Sequence, residues 1–148
     1  MKKYFAIFAV ALLALVGCEK NNDEPKPGDM SALDGQWHLI EWNGEAPEKF
    51  DVYVKYKGGK FDIYEQTHSL YYVHSEGTYK ISGDIATGVY STGENWACGY
   101  KFSVSGDTLT LYSQEDISIT SVYEKCVIPQ SVIDEATTTR ASEVKPIL

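Results

Sequence analysis

The sequence lacks the repeats that define fibrous proteins. No triplet or heptad period runs through its 148 residues, which excludes collagen-like and coiled-coil chains. Basic residues are in deficit, 13 against 21 acidic, and a formal charge of -8 with a pI near 4.8 argues against a basic nucleic-acid-binding protein. Proline and methionine are scarce, at five and two. No nucleophile motif, phosphate loop or C-x-x-C pair occurs, and no two carboxylates are spaced for acid–base work. The sequence therefore assigns no catalytic residue and no cofactor, and an enzyme is not expected. Aromatics, by contrast, are abundant: 13% of residues, 11 of them Tyr. That excludes disorder throughout, and 43% hydrophobic with 23% charged is globular composition at a length that favours one domain.

Residues 1–17 are an address. Lys2 and Lys3 precede an apolar run from Tyr4 to Val16, too short for a standard transmembrane helix. Leu15-Val16-Gly17-Cys18 resembles the bacterial lipobox. The resemblance implies cleavage before Cys18 and acylation of its thiol and new amine, palmitate being a usual chain; the alternative is a plain signal peptide with a chance cysteine. Two or three acyl chains anchor stably where one does not, at about 0.8 kcal/mol per buried CH₂. The expected membrane partner is reached through Cys18, in the cell envelope. Glu19 is not the Asp-type inner-membrane retention signal, so the outer membrane is favoured, with its face undetermined. Losing residues 1–17 removes two lysines and no acid, shifting the formal charge from -8 to -10. Such a body is repelled by anionic headgroups, leaving the acyl chains to hold it. Residues 18–32 read as a lipidated polar tether without apolar periodicity.

From Leu33 to Ile128 short alternating runs are split by Gly, Asn and Asp, with no convincing helical stripe. Eight strands are predicted, over 36–43, 51–57, 59–66, 69–82, 84–91, 95–105, 107–113 and 117–126. Alternation puts Trp96, Cys98, Tyr100, Phe102 and Val104 on one face, Leu109 with Leu111, Ile117 with Ile119 and Tyr123, Val52 with Val54 and Tyr56, and Phe61 with Ile63. Tight glycine turns at 57–60, 82–84 and 105–107 alternate with longer polar connections. In an up-and-down meander the tight turns gather at a closed end and the loops at an open mouth. Eight antiparallel strands can close, which removes exposed edges. The expected fold is all-β: an eight-stranded antiparallel up-and-down barrel over 33–128, followed by a short helix and tail over 129–148.

Leu33-Asp34-Gly35-Gln36-Trp37-His38-Leu39 is similar to the G-x-W motif that opens the first strand of lipocalins and related calycins. The stretch from Gly77 to Lys125 resembles the small lipocalin-like lipoproteins of gut Bacteroidales. The resemblance spans nearly the whole mature domain; the later T-D-Y motif of typical lipocalins is absent, and the barrel is short for a large cavity. It implies a barrel that binds a small molecule and a cation covering the G-x-W Trp. Lys125 shares parity with Tyr123 and ends the last strand, so it should meet Trp37 at the closed end, a contact of roughly 0.5–2 kcal/mol.

The candidate cavity residues are Tyr56, Phe61, Trp96, Tyr100 and Ile117, read as inward and nearer the mouth. Aromatic walls suit flat or apolar ligands, although small barrels are often solid. Glu45, Glu48, Lys49, Glu94, Glu115 and Asp116 line the mouth loops, where a net negative rim disfavours anions. Cys98 and Cys126 leave two readings open. An oxidising compartment suggests a disulfide, whereas the meander places them at opposite ends, as two thiols. His38, His68 and His74 are expected to be histidines without a role, and no metal is expected. Asp107-Thr108-Leu109 is similar to an envelope O-glycosylation acceptor, at Thr108, as well as being a plain hairpin exit. After Pro129 a helix over 130–137 is expected to lay Val132 and Ile133 on the barrel, with outward Ile40, Trp42 and Val122 needing cover. Two functions follow: a lipid-anchored, monomeric barrel binding a small hydrophobic or aromatic molecule, or a structural or partner-binding envelope module with a filled barrel.

Overall fold

The computed structural model describes residues 28–138, 147 and 148, with only the backbone of Thr137 and Thr138. The expected signal peptide and the acylated Cys18 lie outside the described residues. The body is an eight-stranded barrel: β1 (Gly35–Trp42), β2 (Asp51–Lys57), β3 (Lys60–Gln66), β4 (Val73–Ser82), β5 (Ile85–Tyr90), β6 (Tyr100–Ser105), β7 (Thr108–Ser113) and β8 (Thr120–Lys125), each antiparallel to the next, with β8 returning to β1. A 3-10 turn (Met30–Leu33) precedes it, and α1 (Gln130–Thr138) follows. The predicted fold class is therefore the observed one.

The strands form where apolar residues alternate. The pattern is cleanest on β2, where Val52, Val54 and Tyr56 are buried, and on β7, where Leu109 and Leu111 are. At the closed end, three hairpins turn on residues that only glycine adopts readily: Gly58 and Gly59, Gly83, and Gly106 all have φ between 56° and 81°.

Three predicted strands begin late. β4 starts at Val73 rather than 69, β6 at Tyr100 rather than 95, and β8 at Thr120 rather than 117. Each missing stretch belongs to a mouth loop. In the last, Asp116 Oδ1 accepts the Ser118 backbone N–H at 3.0 Å, a side-chain turn that competes with the ladder. The stretch read as tether is already structured from Gly28. The Gly28 N–H donates to the Ile81 carbonyl at 2.9 Å, and the Tyr79 hydroxyl donates to the Met30 carbonyl at 2.8 Å.

Helix α1 forms almost where expected, with Val132 buried and Ile133 half-buried, but over a different surface. It packs on β3 and β4, against Tyr64 and Ile128, with Tyr53, Tyr72 and Cys126 at the margin. Ile40 stays exposed, while Trp42 meets Phe50 edge-on at 6.1 Å instead of the helix.

Candidate ligand site at the barrel mouth

The closed end is solid. The Trp37 indole N–H donates to the Leu33 carbonyl at 3.0 Å, and a Cβ at Gly35 would lie 3.1 Å from that ring, so the G-x-W glycine is a close-approach position. Trp37 and Lys125 are cross-strand partners, and the Lys125 ammonium stands 5.8 Å from the indole centroid while remaining exposed. Above them, Tyr56 and Tyr79 meet edge-on at 5.2 Å. Burial raises the Tyr79 hydroxyl to about 12 and pushes Tyr56 well above its ordinary value.

Tyr56 and Phe61 therefore flank the tight β2–β3 turn at the closed end, not near the mouth as predicted. Both are buried, as are Trp96 and Tyr100. Ile117 is not: it sits in the β7–β8 loop, 74% exposed, and is removed from the cavity set. Its parity argument failed because no strand runs through it.

Phe61, Tyr90, Trp96 and Tyr100 form a contiguous aromatic cluster, with centroids 5.2–6.0 Å apart. Two inward glycines make room for it. A Cβ at Gly77 would come within 2.7 Å of the Phe61 ring, and one at Gly88 within 2.2 Å of the Trp96 indole. The polar content of this half-barrel was missed from sequence. Glu65, two residues beyond Ile63 on β3, shares its inward parity and is 1% exposed. Burial raises its carboxyl to about 7, against the opposing pull of the Thr67 hydroxyl and the Ile147 backbone N–H. The Tyr90 hydroxyl donates to a main-chain oxygen of Leu148 at 2.8 Å. The Trp96 Nε1 and the Tyr123 hydroxyl are buried without a hydrogen bond; Ser121 acts on the latter without meeting hydrogen-bond geometry. The alternation rule could have found Glu65, had polar residues been tracked as closely as apolar ones.

The rim is polar, and Glu45, Glu48, Lys49, Glu94, Glu115 and Asp116 are all exposed. An open groove of about 630 Å³ lies beside the mouth, between the β1–β2 and β3–β4 loops, lined by Pro47, Lys49, Phe50, Gln66 and Leu70.

The other sequence candidates are spread over the molecule. Cys98 and Cys126 carry no disulfide and are half-buried, and Cys98 packs against the barrel core with its Sγ 3.3 Å from Ser113 Oγ. Thr108 is exposed at the start of β7. Two of the histidines have side-chain partners. His38 contacts Asp51 at 2.6 Å and stacks on Tyr53; His74 contacts Asp62 at 2.9 Å and stacks on Tyr64. His38, Tyr53, Tyr64 and His74 are successive cross-strand partners, a single aromatic row across β1 to β4. The donor atoms of Asp62, His74 and Glu76 fall within 4.8 Å of one another, and the His74–Asp62 contact already pairs two of them.

Comparison with known families agrees with this architecture. Residues 33–111, more than half of the chain, match the family model of the lipocalin-like domain. The chain belongs to the lipocalin-like domain family. The match takes in β1 to β6 and most of β7; the lipocalin-like barrel is closed by β8, beyond it. No curated protein matches the chain.

Proposed function

We propose that this chain is a lipid-anchored protein of the cell envelope whose lipocalin-like barrel binds a small, neutral, hydrophobic or aromatic molecule in its mouth half. The observation that carries the reading is the polar content of an otherwise apolar interior. A buried Trp96 Nε1 and a buried Tyr123 hydroxyl stand without a hydrogen bond inside the barrel, and the Glu65 carboxyl is buried as well. Each unpartnered group costs about 1–3 kcal/mol of desolvation, a cost that a bound molecule with matching polar atoms relieves. The exposed acidic rim disfavours anions such as free fatty acids. Membership of a family of lipocalin-like domains supports binding rather than catalysis. The lipobox-like segment ending at Cys18 supports acylation and outer-membrane attachment, and exposed Thr108 is open to glycosylation.

The second reading, a partner-binding envelope module with a filled barrel, is favoured by one fact: Leu148 joins the buried cluster. A single preparation decides between them. The chain from Glu19 onward is purified without acyl chains, its organic extract analysed by mass spectrometry, and the protein titrated with the neutral dye N-phenyl-1-naphthylamine. A retained lipophile or saturable dye binding is expected; an empty extract together with no saturable binding selects the second reading.

A further inference from the structure

A separate group of donor atoms stands on the outer wall, away from the barrel interior. On β3, Phe61 and Ile63 are buried inward, so Asp62 between them points outward. Glu76 of β4 is its direct cross-strand partner, and His74, two residues earlier on β4, shares that face. The donor atoms of Asp62, His74 and Glu76 lie within 4.8 Å of one another. His74 is held in place: its ring stacks on Tyr64 at 4.8 Å and 17°, and Tyr64 belongs to the buried cluster beneath α1. Its Nε2 faces Asp62 Oδ1 at 2.9 Å. Two carboxylates directly opposite on neighbouring strands repel each other. Lys55 and Lys60 border the face, yet no lysine forms an ion pair with Asp62 or Glu76 among the described residues. A groove of about 320 Å³, lined by Lys60, Thr78, Val89 and Ser91, opens beside the two carboxylates.

We propose that Asp62, His74 and Glu76 form a binding site for a divalent transition-metal ion, zinc in the first instance. One imidazole and two carboxylates are a three-ligand set that leaves one place open in a four-coordinate shell. The imidazole separates the set from the all-oxygen sites that calcium and magnesium prefer. Zinc–ligand bonds of about 2.0–2.2 Å put tetrahedral ligand atoms roughly 3.3–3.6 Å apart, so donors now within 4.8 Å need to close by no more than about 1.5 Å. That movement is within reach of the long, exposed Glu76 side chain. Zinc takes the line between Nε2 and Oδ1, with the neutral imidazole keeping its proton on Nδ1, and its charge offsets the repulsion between the carboxylates. The adjoining groove leaves the remaining place open to water or to an outside donor. The site is on the wall and not in the barrel, so it stands or falls independently of the proposed cavity.

The test uses the chain from Glu19 onward, purified without a histidine tag, with zinc chloride as the probe. Calorimetry should find a saturable site that takes one ion per chain. His74→Gln, Glu76→Gln and Asp62→Asn should each weaken zinc binding at least about tenfold, the least that losing even an outer-shell partner of a metal costs. His38→Gln, which removes the other histidine paired with an aspartate, should leave the affinity unchanged. Circular dichroism checks that each variant folds. A second measurement needs no variant: in proton–nitrogen spectra of the histidine side chains, zinc should move the His74 ring signals and leave those of His38 in place. Equal zinc affinity in the parent and in His74→Gln, or His74 ring signals that zinc leaves unmoved, overturns the proposal. Calcium binding as tightly as zinc overturns the assignment to a transition metal.

Discussion

Glu65 shows how much one residue can set. Its carboxyl is buried among aromatic rings, and its pKa is raised in the fold from 4.5 to about 7. Between those values the folded chain holds a proton that the unfolded chain has lost, so stability falls as pH rises from about 4.5 to about 7 and levels off above. The drop is on the order of 3 kcal/mol at most. Glu65→Gln should remove that slope and leave the variant the more stable above pH 7. Urea denaturation of both proteins at pH 5 and pH 8 checks this; coincident pH profiles would show that the carboxyl is not desolvated. The lysine–indole contact was legible because the resemblance to the G-x-W motif implies such a pair, and alternation with an even strand count brings Lys125 to Trp37. Ile117 was misplaced because the last strand was begun at 117, inside the turn that Asp116 forms with Ser118.

Among the elements, α1 divides along the same line. Its position follows from Pro129, which suits the N-terminal side of a helix, and from the apolar pair Val132 and Ile133. Its partner does not, because the outward faces of β1 and β8 offered as much apolar surface as the β3–β4 row that it covers. Val132→Asp should put a charge against Tyr64 and Ile128 and undock the helix at a cost of about 2–3 kcal/mol. Hydrogen exchange is the readout: α1 amides should exchange like those of a loop while β1 and β8 keep their protection. Equal loss of protection in barrel and helix would mean that α1 is integral to the barrel, not laid on it.

For the molecule as a whole, closure is uneven. The β1–β8 pair runs from Trp37 to Trp42, whereas β5 and β6 share only Ile85–Lys101 and Ala86–Tyr100. Above that short seam the chain leaves the sheet, and a groove of about 410 Å³ lined by Thr78, Thr87, Gly88, Trp96 and Gly99 opens beside it. Local opening follows the weakest ladder, so peptides covering residues 85–101 should exchange their amides before those from β1, β3 or β8. Uniform exchange around the barrel would contradict this. The seam adjoins Trp96, so ligand binding in the mouth should slow exchange there first.

Sequence alone determined what local alternation and turn chemistry encode: eight strands, glycine hairpins at one end, an aromatic lining, and a helix after Pro129. These need only the two-residue period of a strand and the φ values open to glycine. Tertiary structure decided which buried groups go unpaired, which face α1 covers, and that Ile147–Leu148 lies against Tyr90 and Glu65. Such contacts join residues more than 50 positions apart, and their energies depend on what is excluded from water around them.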